Sequence, residues 1–284
     1  LLHDREIHTV CDDSVIRVFH GRALPVRRSR GYAPVPVLLP HATGNTPNIL
    51  AVGGELKSTF SLTSGRRAYL SQHIGDMENI ETLEAFERAA THLQSLLRIT
   101  PQVIACDLHP GYMSTVWARR HAQRLGLPVV AVQHHHAHVA GLMAEHGLDR
   151  DTRVIGVSFD GTGLGTDGAV WGGELLACGY ADFERLGQLK YVPVPGGDAA
   201  VKRPYRMALA HCMAAGIEWT RDLPPVTAAA VAELQVLKTQ LTRRLASPDT
   251  SSMGRLFDAA ASLLGIRHVA SYEAQGAMEL EAFA

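Results

Sequence analysis

The sequence predicts an α/β protein of two lobes, each opening with a strand hairpin whose turns carry glycine. Three observations support this reading. Short apolar runs alternate with longer segments of helical period from residue 49 onward, without the strict two-residue alternation of half-exposed strands, so they read as buried strands of a mainly parallel or mixed sheet. The pattern of strands around a glycine turn starts afresh near residue 154, although no sequence repeat is visible. A composition of 46 % apolar and 19 % charged residues over 284 positions supplies a sizeable core and argues against disorder.

The elements follow in order. Val15 to Phe19 and Leu24 to Arg28 are β-like runs separated by a turn at His20-Gly21-Arg22-Ala23. Four prolines from Ala33 through Pro47 read as a linker, which places a boundary near residue 45. Strands are predicted over Ile49–Val52, Thr59–Leu62 and Arg67–Ser71, with Gly53-Gly54 and Ser64-Gly65 as turns. Leu83, Phe86, Leu93, Leu96 and Leu97 form one apolar side of a helix over Glu81–Arg98. Then come a strand at Val103–Cys106, a helix over Ser114–Leu125 stopped by Gly126, a strand at Val129–Val132 and a helix from His134 to His146. The second half opens with a strand over Val154–Phe159, a glycine-rich turn over Asp160–Gly168 and a return strand over Ala169–Ala177. Helices are expected over Tyr205–Ala215, Val226–Leu245 and Arg255–Leu264, and from Glu273 to Ala284. That last helix lacks a cap and a following loop, which predicts a piece of a longer chain.

Composition excludes several function classes. With 27 Lys and Arg against 28 Asp and Glu, the net charge of −1 argues against an electrostatic nucleic-acid or acidic-membrane binder. No apolar run approaches the roughly 20 residues that span a bilayer. The four cysteines, Cys11, Cys106, Cys178 and Cys212, are scattered without a CxxC pair, which fits a reducing, cytoplasmic setting and not a disulfide scaffold or a cysteine zinc ribbon.

Histidine is the unusual residue. Of 15 in the chain, five fall between His134 and His146. In Gln133-His134-His135-His136-Ala137-His138, a helix starting at His134 sets His134 and His138 one turn apart on one face, about 5–6 Å between Cβ atoms. That suits two imidazoles on one zinc or iron ion, with a further ligand from elsewhere. The competing reading makes them capping or satisfied core histidines. His146 lies too far along the axis to join.

A second cluster, Phe159-Asp160-Gly161-Thr162-Gly163-Leu164-Gly165-Thr166-Asp167-Gly168, follows a buried strand. Its glycines could bring backbone N–H groups to a phosphate, and Asp160 could ligate a metal or Mg²⁺. No Gly-Lys-Ser/Thr follows, and a return strand replaces the helix of a dinucleotide fold, so neither phosphate motif of that kind applies. Asp-Gly hairpin turns of no chemical role are the alternative. Gly53-Gly54-Glu55-Leu56-Lys57 is a weaker phosphate candidate or a plain hairpin, and Arg27 to Tyr32 is a basic stretch or a solvated loop.

The duplicated opening of the lobes resembles the actin, sugar-kinase and heat-shock-ATPase architecture. In more detail, the chain resembles the carbamoyltransferase family that matures nickel–iron hydrogenases, the HypF family. The stretches that carry this are Cys11 to Val15, Arg28-Ser29-Arg30-Gly31-Tyr32-Ala33-Pro34, Gly53 to Lys57, Ser71 to Asp76, Asp107-Leu108-His109-Pro110-Gly111-Tyr112, Gln133 to His138, Phe159 to Gly163 and Ser252-Met253-Gly254-Arg255-Leu256-Phe257-Asp258.

The resemblance implies that residues 1–46 end a YrdC-like α/β domain and its linker, that 47–150 form the first lobe of a carbamoyl-transfer domain, and that 151–284 open an incomplete second lobe. It implies that carbamoyl phosphate and ATP, with Mg²⁺, give carbamoyl adenylate in the YrdC-like domain, near Ser14, Arg28 and Arg30. The carbamoyl group then passes to the C-terminal cysteine of a HypE-type partner. His134 and His138 match the family's metal ligands, Asp160 a third, and Asp258 the acid on the ribose hydroxyls. Gly161, Gly163, Gly165 and Lys57 are expected near phosphate, and a last metal-ligating aspartate and an adenine-holding glycine turn beyond residue 284. Rival readings are an O-carbamoyltransferase delivering to a small-molecule hydroxyl, a nucleotide-binding interaction module without chemistry, and a sugar-kinase-like phosphotransferase, which leaves the histidines unexplained.

Overall fold

The computed structural model describes Asp4, Glu6, Ile7 and residues 9–40, 42 and 44–284. Two compact units emerge, Leu1–Thr152 and Arg153–Ala284.

The first unit begins with a hairpin of β1 (Val15–Phe19) and β2 (Arg22–Arg27). Its turn is two residues, not four, because His20 and Gly21 both take positive φ, 48° and 74°, the geometry that suits the twist of paired strands. Every residue of both strands is exposed, since two strands alone cannot bury one another's apolar side chains.

The main sheet of this unit runs in the order β3 (Val37–Leu38), β6 (Arg67–Leu70), β5 (Ser61–Ser64), β4 (Ile49–Ala51), β7 (Val103–Asp107), β8 (Val129–Val132). The proline-rich stretch is therefore not all linker: Val37 and Leu38 pair with Ala68 and Arg67 at the sheet edge, where prolines that cannot donate are tolerated. Within that stretch His41 and Thr43 lie outside the described residues. Pairing is antiparallel from β3 to β4 and parallel from β4 through β7 to β8, which makes the mixed sheet the apolar runs predict.

Helices α1 (Ile80–Leu97) and α2 (Met113–Leu125) supply the core against this sheet, and α3 (His134–Glu145) follows β8. Asn79 caps α1 by accepting the Thr82 N–H at 2.8 Å, and Glu55 Oε2 takes the Met113 N–H at 2.7 Å at the start of α2. Leu50, Leu62, Ile104, Phe60, Phe86, Leu93 and Trp117 form the buried centre. There Phe86 stands edge-on to both Phe60 and Trp117, with centroids 5.4 and 5.0 Å away.

The second unit is a meander of β9 (Val154–Leu164), β10 (Val170–Cys178) and β11 (Phe183–Gln188), to which β12 (Val192–Pro193) and a later β13 (Asp249–Thr250) add. The expected glycine-rich turn over Asp160–Gly168 is a correction: β9 continues to Leu164, Gly163 pairs with Trp171, and the turn itself is closed by Gly165 N–H on Ala169 O at 2.9 Å. Glycine is required at Gly165 because a Cβ there would lie 2.1 Å from Trp171 Nε1.

The helices of this unit are α4 (Asp198–Lys202), α5 (Pro204–Ala214), α6 (Pro224–Ala228), α7 (Val231–Arg243), α8 (Met253–Leu263) and α9 (Gln275–Phe283). The single helix expected over Val226–Leu245 is broken in two. Ala229 and Ala230 turn extended, which lets Val226 and Ala229 pack with Tyr205, Leu209 and Leu237, so tertiary burial overrides alanine's helix propensity. Met207 and Ala208 of α5 bury against Ala259 of α8.

Gly53 ends the turn after β4 with φ of 73°, and a Cβ there would lie 2.5 Å from Thr59 O. Gly53→Ala is expected to destabilise the first unit by about 2–4 kcal/mol through strain and backbone displacement. Chemical denaturation read at Trp117 fluorescence checks this, and a loss under 0.5 kcal/mol would contradict it.

Candidate functional site

The strand pairing that builds the first unit also builds its site. In the parallel ladder Asp107, the last residue of β7, lies opposite Val132, the last residue of β8. Gln133 then caps α3 by accepting the His136 N–H at 2.9 Å, so His134 is the first helical residue and His138 follows one turn later. The four clustered histidines divide by face. His135 and His136 are buried, and His135 Nδ1 meets Gln133 Nε2 at 3.0 Å.

His134 and His138 do converge: their Nε2 atoms are 3.2 Å apart, with rings nearly perpendicular at 82°. His134 Nδ1 lies 2.8 Å from Asp107 Oδ2. Burial pushes the Asp107 carboxyl up, but hydrogen bonds from His134 and from the His109 N–H outweigh it and hold it below the ordinary aspartate range. An ionised carboxylate only accepts, so His134 Nδ1 is the donor, and in the neutral imidazole Nε2 carries the lone pair. That nitrogen borders a cavity of about 300 Å³ lined by Gly53, Gly54, Cys106, Asp107, His134 and His138 among others.

The pair fits a divalent metal. Two nitrogens on one ion at about 2.0–2.1 Å lie about 2.8–3.0 Å apart in octahedral and about 3.3–3.4 Å apart in tetrahedral geometry, and 3.2 Å falls between the two, within reach of either by a small ring movement. Sequence reasoning missed Asp107 as a partner of His134. Its signal was present in the Asp107–Tyr112 motif, but only the strand register shows that it meets the histidines.

Other predicted residues of the first unit lie elsewhere. Lys57 is an exposed turn residue with φ of 50°, its N–H on Asp76 Oδ1 at 2.6 Å, and it does not line the cavity. Ser14 staples two segments, donating to Arg30 O at 2.9 Å and accepting the Ser29 N–H at 2.8 Å. Arg30 reaches Cys11 O at 3.3 Å, and Arg28 reaches the carbonyls of Tyr32 and Val35, each at 3.3 Å. Ser14, Arg28 and Arg30 thus share one strap.

In the second unit Asp160 lies within β9, its Oδ1 accepting the Gly161 N–H at 2.6 Å. Ser252 joins this strand to α8: its hydroxyl donates to Asp160 O at 2.7 Å and to Gly161 O at 2.9 Å, and accepts the Arg255 N–H at 3.2 Å. A polar network beside it holds the hairpin. Buried Glu174 accepts the N–H groups of Gly172 and Gly173 at 3.1 and 3.2 Å, a hydrogen bond from Ser251 and the Arg185 guanidinium at 2.6 Å. Arg185 also covers the Trp171 ring at 3.9 Å and reaches Asp167 at 3.0 Å. Asp258, one turn along α8, is buried with Arg255 Nη1 2.9 Å away and Gly276 of α9 against it. Burial pushes its carboxyl up to about 6 despite the arginine.

Comparison with known proteins gives a consistent set. A family model described as "HypF Kae1-like domain" matches residues 44–145, and one described as "Carbamoyltransferase, Kae1-like Domain, second subdomain" matches 156–284. The chain is 48 % identical over 290 aligned positions to carbamoyltransferase HypF2 of Cupriavidus necator, covering 100 % of this chain and 35 % of that protein. A carbamoyltransferase HypF from Rhizobium leguminosarum is 42 % identical, with 99 % and 35 % covered. The chain thus spans about a third of the length of these relatives. The crystal structure of a full-length HypF in its phosphate- and nucleotide-bound form superposes with a TM-score of 0.90 at 44 % identity, over 99 % of this chain and 43 % of that one. The fold is accordingly the two-lobed, actin-like α/β architecture expected from sequence.

Asp258 makes stability depend on pH. Its pKa rises from 3.8 unfolded to about 6 folded, so between these values the native state holds a proton that the unfolded state has lost, and stability falls as pH rises from about 4 to 6. Asp258→Asn is expected to remove on the order of 2–3 kcal/mol of that pH dependence. Urea unfolding of both proteins at pH 4 and pH 7 checks it, and parallel losses in the two would refute the assignment.

Proposed function

This chain belongs to the HypF carbamoyltransferase family, and we propose that it forms the metal- and nucleotide-binding part of a carbamoyltransferase of hydrogenase maturation. The observation that carries the proposal is the His134–His138 pair at 3.2 Å on its cavity, since a sugar-kinase-like enzyme has no use for it. In the whole protein, carbamoyl phosphate and ATP with Mg²⁺ form carbamoyl adenylate in the YrdC-like domain that residues 1–46 close, with Ser14, Arg28 and Arg30 at its nucleotide. Residues 47–150 and 151–284 are then the first lobe and the opening of the second lobe of the transfer domain.

His134 and His138 would hold a divalent iron or zinc ion, and Asp160 would be the further ligand that the family resemblance implies. A metal there supplies Lewis-acid polarisation and a template for the carbamoyl adenylate. Asp258, ionised above pH about 6, accepts hydrogen bonds from the ribose hydroxyls. Gly161, Gly163, Gly165 and Lys57 are the residues that the same resemblance implies for the phosphate. The nucleophile is the C-terminal cysteine thiolate of a HypE-type partner: a C–S bond forms at the carbamoyl carbon as its bond to the adenylate oxygen breaks, and AMP leaves. The reaction belongs to the cytoplasm, where thiols stay reduced. Among the described residues no helix is long and apolar enough to cross a membrane.

Two assays on the full-length protein test this. ATP–pyrophosphate exchange is expected only with carbamoyl phosphate; ADP release without exchange would replace the reading by a kinase-like one. His134→Ala with His138→Ala is expected to lower carbamoyl transfer to the partner cysteine at least 100-fold while sparing exchange, and transfer at the parental rate would remove the metal from the mechanism.

A further inference from the structure

Resting on the metal reading above, we propose that Asp107 is the positioning residue of the metal centre: its carboxylate fixes the tautomer and ring angle of His134 and so presents the His134 Nε2 lone pair to the ion. Both Asp107 oxygens are engaged, Oδ2 by His134 Nδ1 and Oδ1 by the His109 N–H, each at 2.8 Å. Its side chain is 5 % exposed, and its backbone carbonyl accepts the Thr115 hydroxyl at 3.2 Å. The carboxylate is therefore held in one orientation, and it orients the imidazole bonded to it.

The chemistry gives this bond a purpose beyond packing. An unrestrained neutral imidazole in water carries its proton mainly on Nε2, the nitrogen that here faces His138. A proton at that atom would block coordination. The Asp107 acceptor draws the proton to Nδ1 and raises the basicity of Nε2, as carboxylates behind metal-bound histidines do. The strand register that sets Asp107 opposite Val132 holds this arrangement before any metal arrives.

The test uses the full-length protein with Zn²⁺ and Fe²⁺ as probes, and Asp107→Ala, Asp107→Asn, His134→Ala and His138→Ala as variants. Chelator competition reads affinity, X-ray absorption reads imidazole ligation, and circular dichroism reads the fold. Asp107→Ala is expected to weaken metal binding about 10–100-fold and to remove one ordered imidazole from the metal's shell. Asp107→Asn keeps a buried oxygen acceptor of the same shape without the charge, and is expected to restore part of the affinity. Should the alanine variant fail to fold, the asparagine variant decides: a loss of about threefold or more with parental dichroism supports the proposal. Parental affinity in the folded Asp107 variants, with loss in His134→Ala, overturns the positioning role and leaves the metal reading standing. Parental affinity in both histidine variants overturns the metal reading itself and the positioning role with it.

Discussion

The parallel pairing of β4, β7 and β8 governs the first unit, because one register sets both its core and its reactive edge. Ile49 opposite Val103 and Ile104 opposite Val129 direct Leu50 and Ile104 into the cluster around Phe86 and Trp117. The same ladder ends with Asp107 beside Val132, one residue short of the Gln133 cap. Side chains alternate faces along a strand, so a slip of one residue would empty the core and turn Asp107 away from His134 together. Stability and site geometry therefore share one constraint.

A different device serves the second unit. Here a buried acid, Glu174, organises the turn region by accepting two backbone N–H groups and the Arg185 guanidinium while also bonding Ser251. A buried charge is tolerated only when its lone pairs are satisfied, and these partners satisfy them. Ser252, the next residue, caps α8 and bonds the carbonyls of Asp160 and Gly161. The strand that carries Asp160 and the helix that carries Asp258 are thus tied by this hydroxyl, and Gly254 packs directly on Gly161 beside it.

Both supports hold side chains in place through part-buried hydrogen bonds. Of the described residues that line the His134 cavity, Cys106 has its thiol pushed up by burial, away from the reactive thiolate. Side chains set on strand ends and helix starts are held and oriented better than those on loops.

Much of this was readable from the amino acids alone. Apolar runs without two-residue alternation gave the mixed sheet, Gly126 marked the end of α2, and the four-residue spacing of His134 and His138 put two imidazoles on one helical face. Local features such as these depend on neighbours within a turn or two, so sequence spacing encodes them. Tertiary structure decided the rest. Residues 27 positions apart meet in the Asp107–His134 bond only because two strands pair, and no local period records that pairing. Likewise Asp160 reads locally as a turn residue but lies in a strand, because β10 pairs with Phe159 before it and with Gly163 and Leu164 after it across a shift in register, and Ala229 leaves its helix because a buried cluster takes it. Propensity is worth tenths of a kcal/mol per residue and burial of a side chain is worth about 1.5–3, so where the two disagree the packed chain follows burial.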